Sequence, residues 1–436
     1  MSGFLTRPQN VFLRKALFQV HLWTGVAIGL YIVLVCVTGS ALVFRIYMQR
    51  AAFPHLFAAA PGEPADAATV LERVKEAFPN DRVSGIDAPT SARPTTLAYV
   101  VRGERFLTIL VDPTTGQVLG ELPERSIVRT IQDLHFDLLA GHTGRVVNGV
   151  GAGLLLVLCA TGMVIWWPGI ATWRRGFTID FRRSGKRINW ELHSAVGIWS
   201  VVLIAVWAVT GIYFVWPSQF RNAVNAVSPL TVATTPTSDS ARQGATQPTW
   251  RGLIARAQQR IPDQYIQRVV PPSNDKGAFL VMFSPVRPAP VGREQLTAVY
   301  LDQYTGEVLK ESPRAARSAG DVIMDWVAPL HVGGFGGMTV RVAWLILGLA
   351  PPLLFVTAFI MWWSRVVRPR WLTARRSAVA ASVLAAAIWA PQADAQFTWD
   401  LPPLISPPTV PSNAPVTPAR IEPPIRSEAP GCGPLP

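Results

Sequence analysis

Four apolar runs divide this chain. The first, VHLWTGVAIGLYIVLVCVTGSALVF, covers 20–44, and the third, LHSAVGIWSVVLIAVWAVTGIYFVW, covers 192–216; the second and fourth have apolar cores at 146–167 and 340–363. A helix of about 20 apolar residues crosses the roughly 30 Å hydrocarbon layer, so the pattern predicts four transmembrane helices. Between the first and second runs the period changes. DAATVLERVKEAF (66–78) has helical spacing, TLAYVV and FLTILVD flank a short GER turn as a hairpin, and VDPTTGQVLG (111–120) adds a Pro-Thr-Thr-Gly turn and one more strand. The same order returns between the third and fourth runs: a helix at 249–261, strands near 264–270 and 278–283, then AVYLDQYTGEVLK at 298–310. Each interval predicts a small helix-plus-antiparallel-sheet domain.

The runs also repeat one another. His21 and His193 are each followed by Gly four residues later (Gly25, Gly197) and by Thr-Gly at 38–39 and 210–211, with one offset of 172. In the even runs, His135 and His331 are each followed by Arg (Arg145, Arg341), Thr (Thr161, Thr357) and a Trp pair ending the run, with one offset of 196. Asp112-x3-Gly116 likewise matches Asp302-x3-Gly306. The expected fold is a membrane all-α, four-helix transmembrane bundle made from a duplicated span–domain–span unit, with two small α+β extracytoplasmic domains. The segments are 1–50 (basic lead-in and first span), 51–125 (first domain), 126–168 (second span), 169–191 (basic loop), 192–217 (third span), 218–325 (linker and second domain) and 326–366 (fourth span). The lead-in has no cleavage site after the first apolar run and reads as a retained anchor. Beyond the fourth span, 367–396 hold an Arg pair, an alanine-rich run at 377–391 and Ala-Asp-Ala, a secretory-signal pattern out of place whose length leaves a fifth span open. The Pro-rich 397–436 read as a disordered tail.

A formal net charge of +13 raises the question of nucleic acid, but its placement answers it. Arg7, Arg14 and Lys15, then Arg174, Arg175, Arg182, Arg183, Lys186 and Arg187, then Arg365, Arg368, Arg370, Arg375 and Arg376 lie in three short segments beside the spans, with only Asp180 and Glu191 opposing them. That supplies +12 of the +13 and puts those segments, including the N-terminus, in the cytoplasm by the positive-inside rule; it is no nucleic-acid footprint. Cys36 and Cys159 fall inside spans and Cys432 in the tail, so no disulfide framework is expected.

With that topology His21 and His193 share one depth, at the cytoplasmic side, and His135 and His331 share the other. A lone histidine at a helix end is ordinarily an interfacial polar residue. Four at repeat-matched positions ask for a shared role, and imidazole suits iron, copper, zinc and nickel. Bis-histidine ligation of a b-type haem takes one imidazole from each of two facing helices and needs room for a porphyrin. Gly39 and Gly211 lie 18 residues beyond their histidines, about five turns along the same face, and would leave that room at the other depth. Two non-covalent, bis-His b-type haems fit best, since no C-x-x-C-H attachment site occurs. His142, seven residues after His135, shares its face and is an alternative ligand, although the second copy has Met338 there. Arg145 and Arg341 either neutralise haem propionates or anchor helix ends, and His55, without a repeat partner, reads as a surface residue.

These features, the H-x3-G…TG odd spans, the LH…R…T…WW even spans and the two domains closing in D-x3-G, resemble the PepSY-associated transmembrane family over roughly 15–366. Its iron-regulated bacterial members include inner-membrane ferric-siderophore reductases. The resemblance implies two b-type haems held beneath two periplasmic PepSY-like domains in a bacterial inner membrane. It implies electrons passing from a cytoplasmic or quinol donor to a periplasmic ferric siderophore or similar chelate. Ala358 stands where the other spans have glycine after threonine, and the donor is expected to be separate because no flavodoxin-like or NAD-binding extension occurs. Arg287 and Arg293 in the 284–295 hairpin either attract an anionic chelate or face solvent. Two other readings are a permease for iron or a chelate, which would want intramembrane carboxylates that the apolar runs lack, and a non-catalytic envelope regulator acting through the outer domains.

Overall fold

The computed structural model describes residues 11–231, 235–242, 248–287, 296–312 and 318–389. Arg7, Arg293, Cys432, the tail from 397 and parts of the 231–249 linker lie outside the described residues. The chain divides into two units, 1–372 and 373–436, and everything below except the end of the last helix belongs to the first.

Backbone polar groups inside a bilayer must be satisfied within their own segment, which makes each apolar run a helix. Four helices among the described residues are long and apolar enough to cross a membrane: Phe12–Leu42, Gly141–Trp166, Gly185–Val215 and Gly337–Ala386. The first, α1 (Phe12–Leu42), leads through a turn at Val43 and Phe44 into a short α2 (Arg45–Ala52). The polar interval then folds as α3 (Ala67–Ala77), β1 (Arg82–Asp87), β2 (Thr96–Arg102), β3 (Arg105–Val111) and β4 (Val118–Glu121). Asp66 caps α3 by accepting the Thr69 N–H at 2.9 Å, and Val70, Leu71 and Val74 form its buried face.

The second span begins with a separate helix. In α4 (Ile127–Asp137) the last turn carries His135; Leu138 and Leu139 then take positive φ of 55° and 59°, and the chain turns into α5 (Gly141–Trp166). Two consecutive left-handed leucines cost roughly 1–2 kcal/mol each, which the packing around the turn must over-determine. Gly144 sits against the Asp137 carbonyl so tightly that any side chain there would collide with backbone. After a single-turn segment at Trp173–Phe177, α6 (Gly185–Val215) forms the third span and α7 (Pro217–Val227) leaves it. Trp166 closes α5 by donating to the Gly176 carbonyl at 3.1 Å and packing edge-on to Phe177. It thereby fastens the basic loop to the end of α5.

The second interval gives α8 (Trp250–Arg260), β5 (Tyr265–Val270), β6 (Phe279–Ser284), β7 (Thr297–Leu301) and β8 (Val308–Ser312). A second short helix, α9 (Ala319–Val332), has a Ser318/Asp321 capping box, carries His331 and ends on Gly333 at φ 67°. The fourth span follows as α10 (Gly337–Gly348) and α11 (Ala350–Trp362), broken at Leu349, where Pro351 and Pro352 have no N–H to give. A π-helical turn at Trp363–Val367 is followed by α12 (Arg368–Trp389), which takes in the described part of the alanine-rich run.

The eight strands among the described residues form one antiparallel sheet in the order β4-β3-β2-β1-β5-β6-β7-β8. Its two halves meet where β1 pairs with β5, with Ile86 opposite Val269 and Asp87 opposite Arg268. There the Arg268 guanidinium pairs with the Asp87 carboxylate, to which the Tyr99 hydroxyl also donates at 2.9 Å. The halves share one core, with Leu71 and Val74 of α3, Leu253 and Ala257 of α8, and Val100, Ile109, Val269, Phe279 and Leu301 of the sheet packed together. The matched aspartates do the same local work: Asp112 accepts the N–H groups of Ala60, Thr114 and Thr115, and Asp302 those of Asp239, Tyr304 and Thr305. Burial alone would raise both carboxyls, but these N–H groups outweigh it and hold both below the usual carboxylate range.

Among the spans, α1 packs on α5, α5 on α6, α6 on α11 and α11 on α1, while α4 lies against α1 and α5 and α9 against α6. Leu30, Trp199 and Val202 on these helices are 74%, 73% and 72% exposed, surface that lipid covers.

Candidate functional site

The helix arrangement brings the four repeat-matched histidines together two by two. His21 of α1 and His193 of α6 have ring centres 6.5 Å apart, with the planes nearly perpendicular at 85°. His135 at the end of α4 and His331 at the end of α9 have ring centres 6.3 Å apart, with planes inclined at 48°. The first pair lies toward the basic-loop end of the spans and the second toward the sheet end.

Each imidazole is held by a threonine from a different helix. Thr161 of α5 accepts from His21 Nδ1 (3.0 Å) and Thr357 of α11 from His193 Nδ1 (2.9 Å). Thr38 of α1 sits 3.3 Å from His135 Nδ1, and Thr210 of α6 sits 2.8 Å from His331 Nδ1. His193 and His135 also reach backbone carbonyls, Leu354 O at 3.0 Å and Val35 O at 2.9 Å. The four threonines are buried, and each hydroxyl donates its own proton to the carbonyl four residues earlier: Leu34, Val157, Val206 or Leu353, at 2.6 to 2.9 Å.

This fixes the tautomer. A carbonyl can only accept, and a hydroxyl that has already given its proton can only accept again. The hydrogen-bond partners therefore assign the hydrogen to Nδ1 on all four rings and the lone pair to Nε2. No hydrogen bond within the described residues engages any of the four Nε2 atoms.

The residue after each threonine completes the seat. A Cβ added at Gly39 would stand 2.7 Å from His135 Cε1, which real contacts do not allow, and one at Gly162 would stand 3.2 Å from His21 Cε1. At Gly211 the nearest atoms are Ala152 Cβ at 3.7 Å and His331 Cε1 at 4.0 Å, ordinary contacts. Gly39 and Gly211 thus lie against the pair they were expected to serve, five turns from the histidine on their own helix.

The other sequence candidates separate. Arg341 is buried, donates to the Val43 carbonyl at 2.8 Å and lies over the Tyr47 ring, bracing the end of α1. Arg145, its repeat partner, is exposed. His142 is exposed at the start of α5 and enters neither pair's contacts, and His55 is exposed as well. Sequence reasoning treated the threonines as markers beside the glycines and did not see them as partners of the histidines. The available signal was a polar side chain recurring at matched depth in four apolar spans. It also passed over Asn148, which donates to the His135 carbonyl at 2.8 Å and fixes the end of α4.

The family described as PepSY-associated TM region matches residues 18–365, a stretch that takes in all four histidines, all four threonines and the whole sheet. The chain belongs to this family. No curated protein matches it. As a PepSY-associated transmembrane protein it carries the apolar membrane helices that the family description names, with the antiparallel sheet between them in sequence.

Proposed function

We propose that this PepSY-associated transmembrane protein is a two-haem, b-type electron-transfer protein of a bacterial inner membrane that reduces a ferric siderophore or similar chelate. The observation that carries the reading is the two imidazole pairs, each with Nδ1–H anchored and Nε2 left with its lone pair. Imidazole nitrogen binds a metal at about 2.0–2.1 Å, so two rings with centres about 6 Å apart would have room to hold one metal through their free nitrogens. The observed 6.5 and 6.3 Å fit that spacing. Each pair also stands alone: no group of three or more His, Cys, Asp or Glu that could hold a metal ion occurs among the described residues. Two protein ligands suit a metal that brings its other donors in a macrocycle better than a bare zinc-type ion, which takes three or four from the protein. Anchoring Nδ1–H to a hydroxyl or carbonyl orients the ligand and raises its basicity, the usual outer partner of a metal-bound histidine.

The helix contacts and the matched Asp-x3-Gly turns support a bundle built from a duplicated span–domain–span unit. The basic loop supports a cytoplasmic location for the His21/His193 end and an extracytoplasmic one for the sheet. Bound at the two pairs, b-type haems would supply one-electron chemistry at two depths, carrying electrons outward to Fe(III) from a separate cytoplasmic or quinol donor. The chain's part is to set orientation, ligand basicity and burial. Fe(II) is a poorer partner than Fe(III) for hard oxygen donors, which would release the iron. A reduced-minus-oxidised visible spectrum of the purified protein tests the reading. The expected result is a b-type signal; a protein that takes up no haem during expression or reconstitution contradicts it.

A further inference from the structure

Three of the four imidazoles have more than one acceptor near Nδ1. His193 has Leu354 O and Thr357, His135 has Val35 O and Thr38, and His21 has Thr161 with the Leu158 carbonyl close by. Among the described residues His331 Nδ1 has Thr210 alone, at 2.8 Å. The residues around it do not replace that contact. The corresponding glycine, Gly211, stands back, with its added Cβ at 4.0 Å from His331 Cε1, whereas Gly39 closes on His135. The Phe214 ring meets His331 edge-on at 5.1 Å between centres, a contact that fills space without accepting a hydrogen bond from Nδ1. The backbone beside His331 is well fixed, since Trp344 donates to the Leu330 carbonyl at 2.8 Å and Gly333 ends the helix. Among the described residues no other hydrogen bond fixes the rotation of the ring or the nitrogen that carries its proton.

We infer that Thr210 is the positioning residue of the sheet-end pair, the one side chain that sets the rotamer and tautomer of His331 and so presents its Nε2 as a ligand. The inference rests on the two-haem reading and deepens it. Thr210 donates to Val206 O at 2.7 Å and to Trp207 O at 3.1 Å, so its hydroxyl proton points away from the imidazole and a lone pair faces Nδ1–H. Valine at this position keeps the shape and removes the acceptor. His331 could then turn, or carry its proton on Nε2, and in either case the ligand is lost. The same substitution at Thr38 leaves His135 on the Val35 carbonyl. The two ends of one site are therefore unequal, and the inequality is written in two threonines at matched positions.

The test uses full-length protein in detergent, with haem stoichiometry read from the visible spectrum and haem retention read by transfer to excess apomyoglobin. Low-spin ferric signals are followed by electron paramagnetic resonance. Wild type, Thr210→Val, Thr210→Ser and Thr38→Val are compared. Loss of an outer partner typically weakens metal retention about 10- to 100-fold. Thr210→Val should lose one of two haems by that factor and shift its low-spin signal; Thr210→Ser should keep both, and Thr38→Val should lose far less. Equal losses in Thr210→Val and Thr38→Val, or a serine variant no better than the valine one, overturn the inference. If Thr210→Val does not accumulate, the serine variant and Thr210→Ala are read in the same transfer experiment, and equal retention by those two overturns it. A wild type without haem instead sinks the functional reading beneath it, so the two failures are distinct.

Discussion

At the scale of single residues, one threonine in each span accepts the Nδ1–H of a histidine from another helix. At Gly39 and Gly162 the residue after it also makes room for the ring's edge. The glycines make separable predictions. Gly39→Ala already forces a Cβ to 2.7 Å from His135 Cε1, and overpacking of this kind costs about 1–3 kcal/mol. That variant should lose sheet-end haem, measured as pigment per chain. Gly211→Ala meets only ordinary contacts at 3.7 and 4.0 Å and should bind like wild type, while Gly211→Leu should not. The histidines and glycines were legible because they repeat at fixed offsets. The histidine–threonine partnership was not, because each partner sits on a different helix and sequence spacing does not report which helices touch. For the same reason nothing in the sequence separated Arg341, buried on the Val43 carbonyl, from its exposed partner Arg145.

At the scale of elements, the sheet-end ligands do not ride on the spans. They sit on the last turns of α4 and α9, which end in left-handed turns before the membrane helices begin. Sequence reading merged each short helix with its span, since QDLHFDLLAGHTGRVV has no proline to announce the break and left-handed leucines are rare enough that no pattern predicts them. The helix and hairpin of each polar interval were legible from period alone. β1 was missed because Ser84 and Gly85 leave it no apolar run, while its counterpart β5, which carries a matching bulge between Ile266 and Arg268, was found. Two predictions belong here. Leu71 is fully buried in the shared core, so Leu71→Ala should lower sheet stability by about 2–5 kcal/mol, read as faster proteolysis of the sheet with the haem spectrum intact. The Asp112 and Asp302 carboxyls are held low in the folded chain, so their contribution is present above the unfolded value of about 3.9 and is lost as pH falls through the folded value. The proteolysis midpoint of the sheet should therefore drop below about pH 4, and Asp112→Asn should weaken the sheet at pH 7 while flattening that acid dependence.

At the scale of the whole molecule, the sequence predicted two outer domains and the structure has one sheet, joined edge to edge through β1 and β5. Pairing two edge strands removes the exposed backbone each half would otherwise present, and a pairing between segments some 180 residues apart leaves no periodic trace. The join ties the span that follows β4 to the span that follows β8, the two that lead in from His135 and His331. The central claim is that the two imidazole pairs each hold one haem. The most direct measurement is haem per chain, with a reduced-minus-oxidised spectrum, for wild type, His21→Ala, His331→Ala and the double variant. The account predicts two haems in wild type, about one in each single variant with different spectra for the two remaining haems, and none in the double variant. A wild type without a b-type spectrum, or single variants that keep full haem content, would contradict it.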